Sequence, residues 1–433
     1  LSYANVTSCG RVLHKLDKFS LKDEYLSYVC PSWALEQFVG IASGLNTLMK
    51  VNFPEEPETV QEDIRDIGPH IIFYGARLWE SLAASIQVRI ADASTINHFL
   101  YQQALKVGYK MTEFWEQGKL AGPHWRFLYK LVDFAILRPL RDKVGLLRLR
   151  VGYSTGAALS PDIVRFFYAL GITLKNLYGS TEAAIITVPQ SKDARFETVG
   201  KPPEGIDVKI GENGEILIHG DSVFMGYYKD QEATTDKIRD NWYHSGDAGY
   251  LDEDGYLVYY DRVDDLQELA DGTKFSPQYI EARLRFSPYI RDVMTVGSKE
   301  RPFVTAIINM DFSNVGKWAE SHRIAYTTFV DLSQKPEVRQ LIQEEVKRVN
   351  RTLAEASKIK KFVNLHKEFD PDEAELTRTR KLKRGPVEER YRGLIDCMYG
   401  DKESFTVEAE VTYRDGGRGT IKTDIVVNSV SGR

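Results

Sequence analysis

From Tyr178 onward the chain sets an aromatic ring, a glycine, two hydroxyls and a carboxylate in consecutive positions, Tyr178-Gly179-Ser180-Thr181-Glu182. Together these groups could meet a nucleotide. A ring offers a flat face to a base, and a glycine admits close backbone approach. Hydroxyls reach phosphate oxygens, and a carboxylate is a hard oxygen ligand for Mg²⁺. A polar turn between strand and loop would draw on the same residue types. The run follows the apolar stretch Gly171-Ile172-Thr173-Leu174-Lys175-Asn176, so either reading puts it where a strand ends.

Four other segments carry chemistry. Ser154-Thr155-Gly156-Ala157-Ala158-Leu159 is a run of small residues. Lacking bulk, it would let a flat ring lie on backbone, or form a tight strand-to-helix turn. Tyr243-His244-Ser245-Gly246-Asp247 ends in a carboxylate able to accept two hydrogen bonds from a ribose diol, or to cap its own loop. In Asp261-Arg262-Val263-Asp264-Asp265 the guanidinium could meet ribose or phosphate, whereas a bare charge cluster is ordinarily solvated surface. Glu375-Leu376-Thr377-Arg378-Thr379-Arg380-Lys381-Leu382-Lys383-Arg384 ends in a basic run. Such a run is either a solvated, anion-attracting face or the means of bringing a lysine to a phosphorus centre. There it would neutralise developing charge and position an attacking carboxylate.

Short apolar runs must position these segments. His70 to Tyr74, Leu146 to Tyr153 and Ile172 to Leu177 read as strands separated by helical patterns, which predicts an α/β fold with a largely parallel sheet. Leu100, Ala104, Val107, Met111 and Phe114 recur at helical spacing and predict a buried helix face, with a role facing an acyl chain as the alternative. Val208 to Ile218 and Gly249 to Tyr260 predict short antiparallel strands, turned at Glu212-Asn213-Gly214 and Asp252-Glu253-Asp254-Gly255. Farther on, Val338, Leu341, Ile342, Val349, Leu353 and Ala356 predict one apolar helix face. Phe405, Val407, Ala409, Val411 and Tyr413 alternate with polar residues. A glycine-rich turn then leads to Ile421, Ile425 and Val427, a hairpin suited to covering a sheet edge.

At 433 residues the chain has material for two or three domains. A net charge of -5 argues against a dedicated nucleic-acid binder. Cys9, Cys30 and Cys397 lie too far apart for the usual zinc spacings and point to a reducing compartment. No apolar run reaches the roughly 18 to 20 residues that span a bilayer. The chain starts at Leu1 without Met or an apolar leader, and it is expected to be a fragment or processed piece.

In this order the five segments resemble the adenylate-forming superfamily of acyl-CoA synthetases, luciferases and peptide-synthetase adenylation domains. Leu177 to Glu182 looks like its adenine, phosphate and Mg²⁺ segment, and Tyr243 to Asp247 is similar to its ribose-binding motif. Leu376 to Arg384, Asn52 to Val60 and Gly68-Pro69-His70 resemble the long-chain fatty acyl-CoA synthetase branch. The resemblance runs from Leu1 to about Leu394. It implies a large multi-sheet adenylation domain, partial here, over 1–263 and a mobile α+β domain over 264–394. The hairpin tail, 395–433, lies outside it. It also implies that Gly156, Ala157, Ala158, Tyr178 and Gly179 shape the adenine slot. Ser180 and Thr181 would lie near the α-phosphate and acyl carboxylate, and Glu182 would hold Mg²⁺. Asp247 would take the ribose hydroxyls, Arg262 ribose or phosphate, and Asp264 would be the hinge. Lys381 would be the adenylation lysine, with Thr181 and Glu182 sharing the catalytic work.

The implied reaction is AMP-forming ligation. A long-chain fatty acid and ATP give acyl-AMP and pyrophosphate, and the thiol of coenzyme A then displaces AMP. Partners would be fatty acid, ATP and CoA, with no nucleic acid. The expected place is the cytoplasm, with peripheral contact at the inner face of a membrane left open. Some positions depart from the pattern. The family's phosphate loop would precede Leu1, so these 433 residues are expected to adenylate little by themselves. Glu268 stands where a lysine often assists thioester formation, Asp261 where glycine is usual, and Arg378 where the branch has proline. Two other readings are an adenylate former for another carboxylic acid and an inactive protein that binds nucleotide or acyl groups.

Overall fold

The apolar runs at Ile71 and Val151 fold as the middle of a sheet whose strands are buried on both faces, as parallel strands require. In the computed structural model this sheet has five strands: β1 (Glu24–Leu26), β2 (Lys50–Asn52), β3 (Ile71–Gly75), β4 (Val151–Thr155) and β5 (Leu174–Asn176). They lie in the order β2-β1-β3-β4-β5, all parallel. The structure describes residues 1–56, 58–156, 159–190, 195–370, 373–376, 382–412 and 418–430, with the side chains of 409–412 and 418–421 excepted. Two compact units divide the chain, Leu1–Asp264 and Asp265–Arg433.

The crossover from β3 to β4 is almost wholly helical and includes Ala76–Ala91, Thr95–Glu116 and Pro123–Val132. Trp79 packs on the bare face of Gly152, where a Cβ would lie 2.7 Å from its ring, and its indole nitrogen donates to the Tyr153 carbonyl at 3.0 Å. After β4 the helix Pro161–Ala169 starts on a Ser160 cap followed by proline, a combination that pre-sets the first turn.

Two expectations differ here. The strand predicted from Leu146 begins only at Val151, because Gly145 (φ 75°) and a turn closed by Leu149 N–H on the Leu146 carbonyl use up the residues between. On Thr95–Glu116, Ala104 and Met111 are buried, but Leu100 is 44% exposed and Val107 and Phe114 are only half-buried. Periodicity located the apolar face without saying how much of it is covered.

Past β5 the strands become short and antiparallel. A two-stranded ribbon, β6 (Tyr178–Ser180) and β7 (Ala184–Thr187), precedes a sheet of β8 (Ile206–Ile210), β9 (Glu215–Gly220), β10 (Ile238–Arg239), β11 (Trp242–Leu251) and β12 (Leu257–Arg262). The turns at 211–214 and 252–255 join β8 to β9 and β11 to β12, as their composition predicts.

In the second unit, β13 (Gln267–Glu268) and β14 (Lys274–Phe275) form a small ribbon. The main sheet contains β15 (Ile290–Val296), β16 (Val304–Met310) and β17 (Ile359–Asn364). The predicted apolar helix is Pro336–Asn350, shorter than its pattern. Asn350 ends it, exchanging side-chain hydrogen bonds of 2.8 and 2.9 Å with the backbone of Ile359, so Leu353 and Ala356 fall beyond the helix. The tail hairpin pairs β18 (Ser404–Thr412) with β19 (Arg418–Val426), and β20 (Asn428–Ser429) adds to the edge of β17. Phe405, Val407 and Ile425 pack into the unit's core. Tyr413, and the side chains of Ala409, Val411 and Ile421, lie outside the described residues. Among the described residues no helix is long and apolar enough to cross a membrane.

Candidate nucleotide site

Parallel pairing sets the ends of β4 and β5 side by side: Ser154 faces Asn176, and Leu177 N–H donates to the Ser154 carbonyl at 2.9 Å. Gly156 and Tyr178 therefore emerge at the same carboxyl edge, the edge where open α/β sheets bind ligands. Gly156 has φ 83° and open space where a Cβ would stand. Ser154 itself is fully buried, and its hydroxyl has no partner among the described residues.

Gly179 is required by the ribbon. A Cβ there would lie 2.2 Å from the Ala184 carbonyl oxygen, so no larger residue fits without moving backbone. That close return carries the chain from Tyr178 past Ser180 and Thr181 to Glu182. The Ser180 hydroxyl accepts from Ala183 N–H at 3.2 Å, while Thr181 is exposed. Glu182 is half-buried and accepts the Tyr227 hydroxyl at 3.0 Å, while its carbonyl accepts Phe224 N–H at 2.6 Å.

Asp247 and Arg262 are direct cross-strand partners on β11 and β12, with Arg262 Nε 3.1 Å from Asp247 Oδ1. The other carboxylate oxygen accepts the Tyr178 hydroxyl at 2.6 Å. The fold thus joins three of the separate sequence segments at one carboxylate. Tyr259 stacks on Tyr178 with centroids 5.4 Å apart. The turn before Asp247 is pinned by Glu215, which accepts Gly246 N–H at 2.8 Å and meets His244 at 3.0 Å.

Burial raises the Asp247 carboxyl above its ordinary value, and the hydrogen bond from Tyr178 and the charges of Arg262 and Lys237 only partly oppose it. Burial pushes the Tyr178 phenol well up, and the Asp247 charge beside it adds to the rise. For Arg262 burial works toward a lower value, but Asp247 and the surrounding tyrosines more than offset it. The pair holds the guanidinium charged without repaying the dehydration of the carboxylate.

Asp264 is exposed and lies in the short 3₁₀ turn Val263–Asp265 at the end of the first unit. Ala157, Ala158 and Lys381 lie outside the described residues, as do Thr377, Arg378, Thr379 and Arg380. Around that last segment, Leu376 and Leu382 form an antiparallel bridge, and Lys383 N–H donates to the Glu375 carbonyl at 2.9 Å. The Glu375 carboxylate is fully buried, accepting Tyr391 at 2.7 Å and pairing with Lys367 at 3.1 Å. Tyr227, Tyr259 and Glu215 escaped the sequence reading. Only the aromatic pair Tyr227-Tyr228 after Gly226 gave a local signal.

A family model described as "AMP-binding enzyme" matches residues 1–228, and one described as "AMP-binding enzyme C-terminal domain" matches 264–403. A long-chain-fatty-acid–CoA ligase of Mycobacterium tuberculosis is 33% identical over 276 residues, 63% of this chain and 46% of the relative. A long-chain-fatty-acid–CoA ligase of Gallus gallus is 28% identical over 445 residues, 95% of this chain and 58% of the relative. The chain spans about half the length of the curated relatives it matches. Among solved structures, the AMP-bound A-PCP didomain of carboxylic acid reductase from Segniliparus rugosus aligns with TM-score 0.64 at 19% identity. That alignment covers 92% of this chain and 51% of the other. ATP-bound MatB from Rhodopseudomonas palustris gives 0.59 at 17%, covering 91% and 65%. These likenesses establish the α/β adenylation fold.

Proposed function

Because the chain belongs to the AMP-binding enzyme family, we propose that its full-length protein activates a long-chain fatty acid with ATP and transfers the acyl group to coenzyme A. The observation that carries the nucleotide part is the buried Asp247 carboxylate, held by Tyr178 and Arg262 beside the carboxyl edge of the parallel sheet. Each of its oxygens already accepts one hydrogen bond or ion pair and keeps a lone pair for a ribose hydroxyl. Tyr178 and Gly179, with Gly156, Ala157 and Ala158, would take the adenine, and Ser180 and Thr181 the α-phosphate. Glu182 suits Mg²⁺, because its carboxylate meets the neutral Tyr227 hydroxyl and that ion is commonly held by one or two carboxylates with phosphate oxygens and water. Bound there, the ion would neutralise phosphate charge.

In this reading Asp264 is the hinge of a mobile domain over 264–394, and Lys381 stabilises the charge that develops as the fatty carboxylate attacks the α-phosphate. The fatty-acid assignment draws on the named activities of the curated relatives. A second reading, adenylation of another carboxylic acid, is favoured by the carboxylic acid reductase and MatB neighbours. Pyrophosphate exchange by the full-length protein against a panel of carboxylic acids separates them. Exchange driven by long-chain fatty acids, followed by CoA thioester formation, is expected. Exchange driven only by short or aromatic acids would support the second reading, and AMP binding without exchange would sink both. Lys381→Ala should abolish acyl-AMP formation yet spare thioester formation from preformed acyl-AMP.

A further inference from the structure

The helix Pro123–Val132 and the π-helical turn Asp133–Leu137 that continues it are apolar on two faces. One face, Leu128, Val132 and Ile136, looks across a groove of about 460 Å³ to Leu100, Ala104 and Val107 of the neighbouring helix. The other carries Phe127, Leu131 and Phe134 at helical spacing into solvent, 72%, 55% and 71% exposed. Ile96 and Phe99, at the start of the neighbouring helix, are as exposed, and that helix packs against both Pro123–Val132 and the π-helical turn. A helix that is apolar nearly all round belongs in a protein interior or in lipid, and a patch of this kind marks a contact surface.

Charge decides what the partner is. Residues 118–143 hold six Lys and Arg against two Asp, in a chain of net charge -5. The nearby acids are largely engaged: Asp133 with Arg141 at 2.6 Å, Glu113 with Lys110 at 2.6 Å and Glu116 with Arg165 at 2.8 Å. Arg126, Lys130 and Arg138, which flank the exposed stripe, are themselves exposed and carry no ion pair among the described residues. Phenylalanine and leucine on one face with unpaired cations along its sides is the make-up of a helix that lies in a membrane interface. Its rings enter the acyl layer, and its cations meet lipid phosphates.

We propose that Pro123–Leu137, with the start of helix Thr95–Glu116, docks on an anionic phospholipid leaflet, inserting Phe127, Leu131 and Phe134. One occupant then accounts for three features: the bare stripe, the unpaired cations around it, and an adjoining groove whose apolar lining accepts an alkyl chain. The proposal goes beyond the catalytic reading and stands or falls without it, since its readout is binding rather than turnover.

The test is co-sedimentation of the 433-residue chain with phosphatidylcholine vesicles, with and without phosphatidylglycerol, at low and high salt. Binding should require phosphatidylglycerol and weaken with salt. The combined Phe127→Glu, Leu131→Glu and Phe134→Glu variant should lower partitioning by at least about tenfold. These side chains are exposed, so its thermal unfolding should match the parent's; Phe127→Ser with Phe134→Ser serves if it does not. Combined Arg126→Gln, Lys130→Gln and Arg138→Gln should remove the dependence on anionic lipid and on salt. Absence of binding, or binding untouched by either set, overturns the proposal. So does self-association through the stripe without vesicle binding. Binding lost in a longer product of the same gene would assign the face to another part of that protein, and would also overturn it.

Discussion

The Tyr178 hydroxyl donates a 2.6 Å hydrogen bond to Oδ2 of Asp247, and both side chains are buried. Tyr178→Phe deletes the donor and leaves a buried carboxylate oxygen facing an apolar ring. An unmet buried acceptor costs about 1–3 kcal/mol. Urea unfolding should therefore show a loss of that size, and adenine-nucleotide affinity should fall with it. A variant as stable as the parent would mean that water replaces the phenol and the contact positions nothing.

Asp247→Asn should give the opposite sign on stability. Burial raises the folded-state value of this carboxyl above its ordinary 3.8. Its favourable contribution is therefore complete below about pH 4 and is lost as pH rises through the folded value. At neutral pH the ionised group burdens the fold, and Asn removes that burden. The variant should lack the decline that the parent shows between pH 4 and neutrality. At pH 7 it should be at least as stable as the parent, while binding nucleotide more weakly. Loss of stability at pH 7 greater than at pH 4 would show that the Arg262 pair outweighs burial.

Segments that bunch reactive residue types are legible in the sequence, because Tyr178 to Glu182 and Tyr243 to Asp247 are contiguous. Their mutual geometry is not: Tyr178 meets Asp247 across 69 positions, a relation set by how β6 and β11 pack. Tyr259 and Glu215 act singly from strands, so no local pattern marks them, and Tyr227 is marked only by the aromatic pair it forms with Tyr228. Periodicity found the helix bearing Leu100 but not its exposure, since exposure depends on what else packs there. Likewise Val151 and Leu146 read alike as apolar, and only the turn closed between Leu146 and Leu149 separates strand from approach.

Gly179→Ala tests whether the ribbon that turns the chain toward Glu182 is as tight as it looks. The added methyl meets the Ala184 carbonyl oxygen at 2.2 Å, a backbone atom held by the pairing of β6 with β7. Relief needs backbone movement, and overpacking of this kind costs about 1–3 kcal/mol or more. The expected result is a lower unfolding midpoint with nucleotide binding lost beyond detection. Unchanged binding would mean that the ribbon opens at little cost and does not set the site.

His366, in the second unit, predicts an acid limb in the stability curve. Burial, helped by Lys367, lowers its value from 6.5 to about 4, and its Nδ1 has no partner among the described residues. The unfolded chain takes up a proton near pH 6.5 while the folded one resists until about 4. Stability is therefore fully present above 6.5 and drains away as pH falls between the two values. A depression of this size corresponds to roughly 3 kcal/mol at the low end. Urea unfolding between pH 7 and pH 4 should steepen in that window for the parent and flatten for His366→Gln, with His366→Leu as a second neutral replacement. Because neither replacement takes up a proton, an unaltered limb in both would assign the acid loss to other groups and leave His366 solvated.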